Sequence, residues 1–258
     1  MTVPFDPTLQ LTLVLIALFS GVGITTIGPG GIFVTIALYS LTPISSGEVA
    51  GTAHLTFVAT GLLSSAMYAR SGELNLSGSR TMAAVLSASS VAGAFLGAYV
   101  NAFVPRDLFG LLLGAVAMVT GVVLVYRERR GLSPVYELDV TTTRGRAVLA
   151  VLGFGLGVAS GLLGVGGPVI AVPALVLVGV PMLSALAVAQ VQSIFIAAFA
   201  ASGYFVQGNV LFPLAVLVGV PLLVGAVAGW KIAHLVDPAR LKVALGVVLF
   251  AVGPYLAL

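Results

Sequence analysis

Gly157-Val158-Ala159-Ser160-Gly161-Leu162-Leu163-Gly164-Val165-Gly166-Gly167 interrupts a long apolar run with residues that do not extend a helix. The chain has already used the pattern once, as Gly21-Val22-Gly23-Ile24-Thr25-Thr26-Ile27-Gly28-Pro29-Gly30-Gly31. A shift of 136 positions aligns the two stretches without a gap and leaves five of eleven residues identical: Gly21/Gly157, Val22/Val158, Gly28/Gly164, Gly30/Gly166 and Gly31/Gly167. The register continues through Ala53/Ala189, Tyr68/Tyr204, Gly72/Gly208 and Gly93/Gly229. The chain is therefore read as a duplicated unit, whose period is too long for a solenoid and matches half a transporter.

Hydrophobic residues make up 59% of the 258 and charged ones 7%, against about 25% charge in soluble domains, so a water-exposed surface could not be covered. The composition implies an integral membrane protein. The net charge of +3 reads as orientation in the bilayer and implies no nucleic-acid partner. Cysteine is absent, which removes disulfide and thiolate chemistry. The N-terminal stretch Met1 to Pro7 lacks the positive region and cleavage site of a secretory signal. No polar segment is longer than the 127–145 connection, which leaves no room for a nucleotide-binding domain. Any energy source is expected to be a gradient or a partner.

About 20 helical residues cross a bilayer core. On that basis full spans are expected at 48–70, 81–101 and 106–126, and again at 183–206, 211–233 and 239–257. The opening runs, 8–41 and 146–179, are broken at Gly28 to Gly31 and at Gly164 to Pro168, and each reads as two short spans or as a re-entrant hairpin. The expected fold is an all-α polytopic membrane protein with two inverted repeats, 1–126 and 146–258, joined by a cytoplasmic loop at 127–145. Inversion follows from charge. With Arg127, Arg129, Arg130, Arg144 and Arg146 inside, inverted halves put ten of eleven basic residues in the cytoplasm, and parallel halves put only seven there. Ser45 and Glu48 form a capping-box pattern. Tyr39, Tyr68, Tyr99, Tyr126 and Trp230 lie near the ends of apolar runs, as interfacial aromatics do.

A backbone broken inside the membrane has polar groups that lipid cannot satisfy, so it must line protein or water. If short helices start at the two breaks, their N–H groups and positive dipole ends form an anion site without a basic side chain. Close helix crossing is the alternative use of such glycines, and their recurrence in both halves favours a site. His54 and Gln190 occupy equivalent positions in the next helices, and the face His54, Phe57, Gly61, Ser64 matches Gln190, Ser193, Ala197. The candidate binding residues are Gly28, Gly30, Gly31, Thr52, His54, Gly164, Gly166, Gly167, Gln190, Gln192 and Ser193.

Enzyme patterns fail on inspection. Gly23 to Gly30 has phosphate-loop spacing, but Pro29 and Gly30 stand where Lys and Ser or Thr are required. Ser160 lacks the glycine two positions earlier that an intramembrane serine protease would have. Two distant histidines and no buried carboxylate argue against a metal site, and no cofactor is implied. Proton coupling, if present, would fall on His54.

The stretch Gly161 to Gly167, followed by Pro173, Ala187-Val188-Ala189, Gly203-Tyr204 and Gly208-Asn209, resembles the sulfite exporter TauE/SafE family along essentially the whole chain. The first copy departs from the pattern at Thr25 and Ala37, and Gln190 stands where the family commonly has a small or hydroxyl residue. The resemblance implies a carrier of sulfite, thiosulfate, sulfonates or related small anions across the cytoplasmic membrane, most simply an exporter working by alternating access. A homodimer is compatible with it. The rival reading is a non-transporting membrane subunit or sensor that binds a partner or an anion.

Overall fold

The computed structural model describes residues 5–75, 78–130 and 139–235, with 246–251 and 253. Among these the chain is helical with no strand. The helices are α1 (Pro7–Thr26), α2 (Ile32–Leu41), α3 (Ser46–Ser71), α4 (Ser79–Asn101), α5 (Arg106–Arg130), α6 (Thr143–Leu163), α7 (Pro168–Leu177), α8 (Met182–Val206) and α9 (Phe212–Ala233). Seven of them, all but α2 and α7, are long and apolar enough to cross a membrane. The span expected at 239–257 falls on described residues only at 246–251 and 253, which are helical. The remainder of it lies outside them.

Local chemistry explains the boundaries. Ser45 Oγ accepts from the Glu48 amide at 3.2 Å and Glu48 Oε2 accepts from the Ser45 amide at 2.8 Å, so the capping box that opens α3 forms as expected. Helix α1 stops where the Ile27 and Gly28 amides both turn back to Gly23 O and Gly28 adopts φ +106°; Pro29, which has no N–H, follows. Helix α6 stops in the same way at Gly164, φ +64°, whose amide donates to Ser160 O at 2.9 Å. Pro168 then starts α7 at its first turn, where a missing N–H costs nothing.

Contacts set the directions. Helices α3 and α8 run antiparallel, since Gly61 lies against Ile194 and Gly51 against Tyr204. Helix α1 runs parallel to α9, with Gly225 against Leu18 and Gly229 against Val22. Helix α6 runs parallel to α4, with Gly153 against Leu86 and Gly161 against Ala94. The start of α9 is tied to the start of α3 by the Leu211 amide, which donates to Thr52 Oγ1 at 3.1 Å. The Arg106 guanidinium donates to the carbonyls of Tyr39, in the last turn of α2, and of Thr42 and Ile44 just after it. Helix α2 therefore comes back to the side from which α1 set out, and the opening element is a long helix with a 10-residue return.

The polar residues turn inward and the apolar ones outward. Ser20, Thr25, Thr35, Thr52, His54, Gln190 and Gln192 are all buried, whereas Val216, Val220 and Val224 form an exposed stripe on α9. That inside-out pattern suits lipid. The long seams are lined by glycine because helix backbones touch there. A Cβ on Gly157 would lie 2.9 Å from Ser90 Cα and 3.0 Å from Ala94 N, whereas one on Gly155, two residues earlier, would meet nothing within 4 Å. Gly157→Ala is therefore expected to destabilise the purified protein by about 1–3 kcal/mol through overpacking. Gly155→Ala is expected to leave the thermal unfolding temperature in detergent unchanged or slightly raised.

Candidate functional site at the helix breaks

Around the two breaks several backbone carbonyls take side-chain donors, and at Ser160 O such a donor joins the Gly164 amide. His54 Nε2 donates to Ser160 O at 3.0 Å, and Gln190 Nε2 donates to Ile24 O at 3.1 Å. Under the 136-residue shift these are the same bond made in opposite directions between the halves. Tyr204 Oη donates to Gly161 O at 2.8 Å, and Tyr68 Oη donates to Thr25 O, again at equivalent positions. At the second break Asn101 Nδ2 donates to Leu162 O at 2.8 Å, Thr35 Oγ1 to Gly164 O and Ser160 Oγ to Val165 O. Because a carbonyl only accepts, His54 carries its proton on Nε2. Its Nδ1, fully buried, has no partner among the described residues.

Between the breaks lies a cavity of about 10 Å³, close to the least space that holds one water. Of the expected site residues, Gly28, Gly31, Gly166, Gln190 and Ser193 line it, together with Phe57, Thr60 and Gly61. Gly167 does not line it but packs on α8, where a Cβ would come within 3.1 Å of Ser193 Cα. His54 stands beside it, edge-on to the Phe57 ring and stacked on Tyr204. The other candidates are held elsewhere. A Cβ on Gly30 would collide with the backbone of Gly23 and Ile24, and one on Gly164 with Ala50, so both glycines admit close backbone approach. Thr52 accepts the Leu211 amide. Gln192, fully buried, leaves both ends of its amide unpaired among the described residues and does not line the cavity.

Tyr68 corrects the sequence reading: it is fully buried, not interfacial, because the Thr25 carbonyl needs its hydroxyl inside the protein. Tyr99 and Tyr126 are exposed, as expected of interfacial aromatics. The signal that separates them was the register, since Tyr68 and Tyr204 recur at the 136-residue shift and the others do not. Thr35, Asn101 and Ser160 were not singled out as site residues, and nothing in their spacing marks them.

Chemically the site offers neutral hydrogen-bond donors and no buried cation. The amides of Gly166 and Gly167 donate to no acceptor among the described residues. They lead into α7, whose N-terminal dipole favours negative charge. No group of three or more His, Cys, Asp or Glu side chains that could hold a metal occurs among the described residues.

Comparison with known proteins agrees in class. The profile of the family described as Sulfite exporter TauE/SafE matches residues 10–256. The Probable membrane transporter protein YdhB of Bacillus subtilis (strain 168) is 24% identical over 239 residues, covering 91% of this chain and 95% of its own. No solved structure matches.

One titratable pair lies just outside the spans. Glu73, after α3, is 8% exposed, and His234, after α9, places Nε2 2.9 Å from Glu73 Oε1 while Nδ1 donates to Trp230 O at 2.8 Å. Burial alone would raise the Glu73 carboxyl, but hydrogen bonds from Ser71 and His234 hold it below its ordinary 4.5. The Trp230 carbonyl, and then Glu73, lift His234 above its ordinary 6.5 against desolvation. The carboxylate contributes stability above pH 4.5 that is lost as pH falls through its lowered value. The imidazolium contributes stability below pH 6.5 that is lost as pH rises through its raised value. His234 is partly exposed, so the pair is expected to contribute about 1 kcal/mol or less. Thermal unfolding of wild type and Glu73→Gln in detergent should differ most between pH 4.5 and 6.5 and converge at alkaline pH, where His234 is neutral.

Proposed function

Because the chain belongs to the sulfite exporter TauE/SafE family, we propose that this multi-pass protein of the cell membrane carries sulfite, thiosulfate or an organosulfonate outward by alternating access. The anion binds between the two breaks. The observation that carries this reading is the meeting of the two duplicated, glycine-rich interruptions at one cavity that also contains Gln190 and Ser193. Antiparallel packing of the equivalent helices α3 and α8 supports halves of opposite orientation, the arrangement on which rocking carriers are built.

The energetics favour export. A doubly charged oxyanion moving outward gains about 2.3 kcal/mol per charge for each 100 mV of inside-negative potential, so no coupled ion is needed. His54 is committed to the Ser160 carbonyl, a job that an amide does in the other half. That is a structural task, and it does not require a proton to come and go.

Proteoliposome flux with sulfite, sulfate, thiosulfate, sulfoacetate and chloride at imposed potentials tests the proposal. Saturable, potential-driven flux of a sulfur anion is expected, and none for any member of the panel would return the chain to the rival role of subunit or sensor. His54→Gln should keep at least about a third of the flux. His54→Leu, which strips the Ser160 carbonyl of its side-chain donor and leaves it the Gly164 amide, at a cost of about 0.5–1.5 kcal/mol, should lose more of it than His54→Gln. Strict proton dependence in wild type, vanishing together with flux in His54→Gln, would make His54 a proton carrier. Gly166→Leu should insert normally and not transport, because a Cβ at Gly166 meets only ordinary contacts, the nearest at 3.7 Å. Gly30→Leu should fail earlier, at folding, for the backbone overlap already described.

A further inference from the structure

We propose that the Phe57 ring is the plug of the anion site: it occupies the substrate's place in this state, must move for the anion to enter, and sets the size of anion accepted. The proposal rests on the transport reading above and deepens it.

Three observations place the ring there. Phe57 is the largest side chain lining the cavity between the breaks. It is held between them: a Cβ on Gly31, in the first break, would lie 3.3 Å from its Cε1, and one on Gly166, in the second, would lie 3.8 Å from both Cδ1 and Cδ2. Two glycines from opposite halves thus face one ring. What remains beside it is about 10 Å³, room for about one water, and sulfite is larger than water. Of the side chains that line the cavity, the Phe57 ring takes up the most space, so its displacement opens the most room.

The repeat sharpens the point. Position 57 corresponds to Ser193 under the 136-residue shift, and both lie on the cavity wall. One half supplies a hydroxyl that can bond an oxyanion and the other supplies an apolar ring that cannot. A ring that leaves the site when the anion arrives, and refills it afterwards, leaves the free amides of an empty carrier without a partner, a cost that the arriving anion relieves.

The test uses the full chain in proteoliposomes with sulfite and the bulkier sulfoacetate as probes. Phe57→Leu and Phe57→Ala are expected to raise the sulfoacetate-to-sulfite flux ratio by about tenfold or more, the scale on which pocket size discriminates. Phe57→Trp is expected to lower sulfite flux by about tenfold or more, by misplacing the bound anion, while the protein still elutes as wild type. An unchanged ratio in the Leu and Ala variants, at normal sulfite flux, overturns the proposal. Should Phe57→Ala fail to fold, Phe57→Leu still decides.

If wild type carries neither anion, the transport reading is what fails, and accessibility then judges the plug by itself. The chain has no cysteine, and a Cβ at Gly166 fits without overlap. In a Gly166→Cys background, a small charged methanethiosulfonate should label about tenfold or more faster with Leu at position 57 than with Phe, since removing bulk opens the route to the thiol. Equal labelling rates overturn the plug whatever the flux data say.

Discussion

A helix that stops inside a bilayer exposes carbonyls that have no water to accept from, at several kcal/mol each. Most of the specific chemistry in this molecule answers that constraint. His54 and Gln190 reach across from the opposite half, Tyr68 and Tyr204 reach down from the far ends of α3 and α8, and Thr35, Asn101 and Ser160 complete the second break. With those carbonyls paired, the breaks can keep the amides of Gly166 and Gly167 free beside a cavity. The acceptors are neutralised by the protein, and the donors stay available to something that arrives.

The same arrangement interlocks the halves. The first helix of each half lies along the last described full-length helix or the central helix of the other, α1 on α9 and α6 on α4, through glycine seams in which backbone meets backbone. The hydrogen bonds from Thr35, His54, Asn101 and Gln190 at the breaks also cross between halves. Each break is thus held by one half through its chain and by the other through a side chain. Any motion that opens the cavity has to work against both.

Duplication makes divergence legible. Where the halves agree, as in the Tyr68 and Tyr204 bonds, the shared task is structural. Where they differ, the two halves present different chemistry. Phe57 faces Ser193 across one cavity. The Glu73–His234 pair has as its counterparts the uncharged Asn209 and Ala98, so only one end of the bundle carries this titratable clasp among the described residues. A carrier with chemically distinct ends and walls is not obliged to treat its two sides alike.

The sequence alone determined the class, the duplication and the places where helices stop. Those properties are local: charge content decides the solvent, apolar run length decides a span, and Gly28-Pro29 or Gly164 to Pro168 ends a helix wherever it is put. Five of the expected site residues, Gly28, Gly31, Gly166, Gln190 and Ser193, do meet at the cavity, because helical spacing after a fixed break carries them there. Only the tertiary structure decided which glycine serves which purpose. Gly30 and Gly166 are indistinguishable in the repeat, yet one is pressed against Gly23 and Ile24 and the other faces the Phe57 ring. It also decided that Thr52 holds the start of α9 and that Tyr68 is buried. These outcomes rest on contacts between residues far apart in the chain, and no local pattern encodes the atom that a backbone group will find when another helix is laid against it.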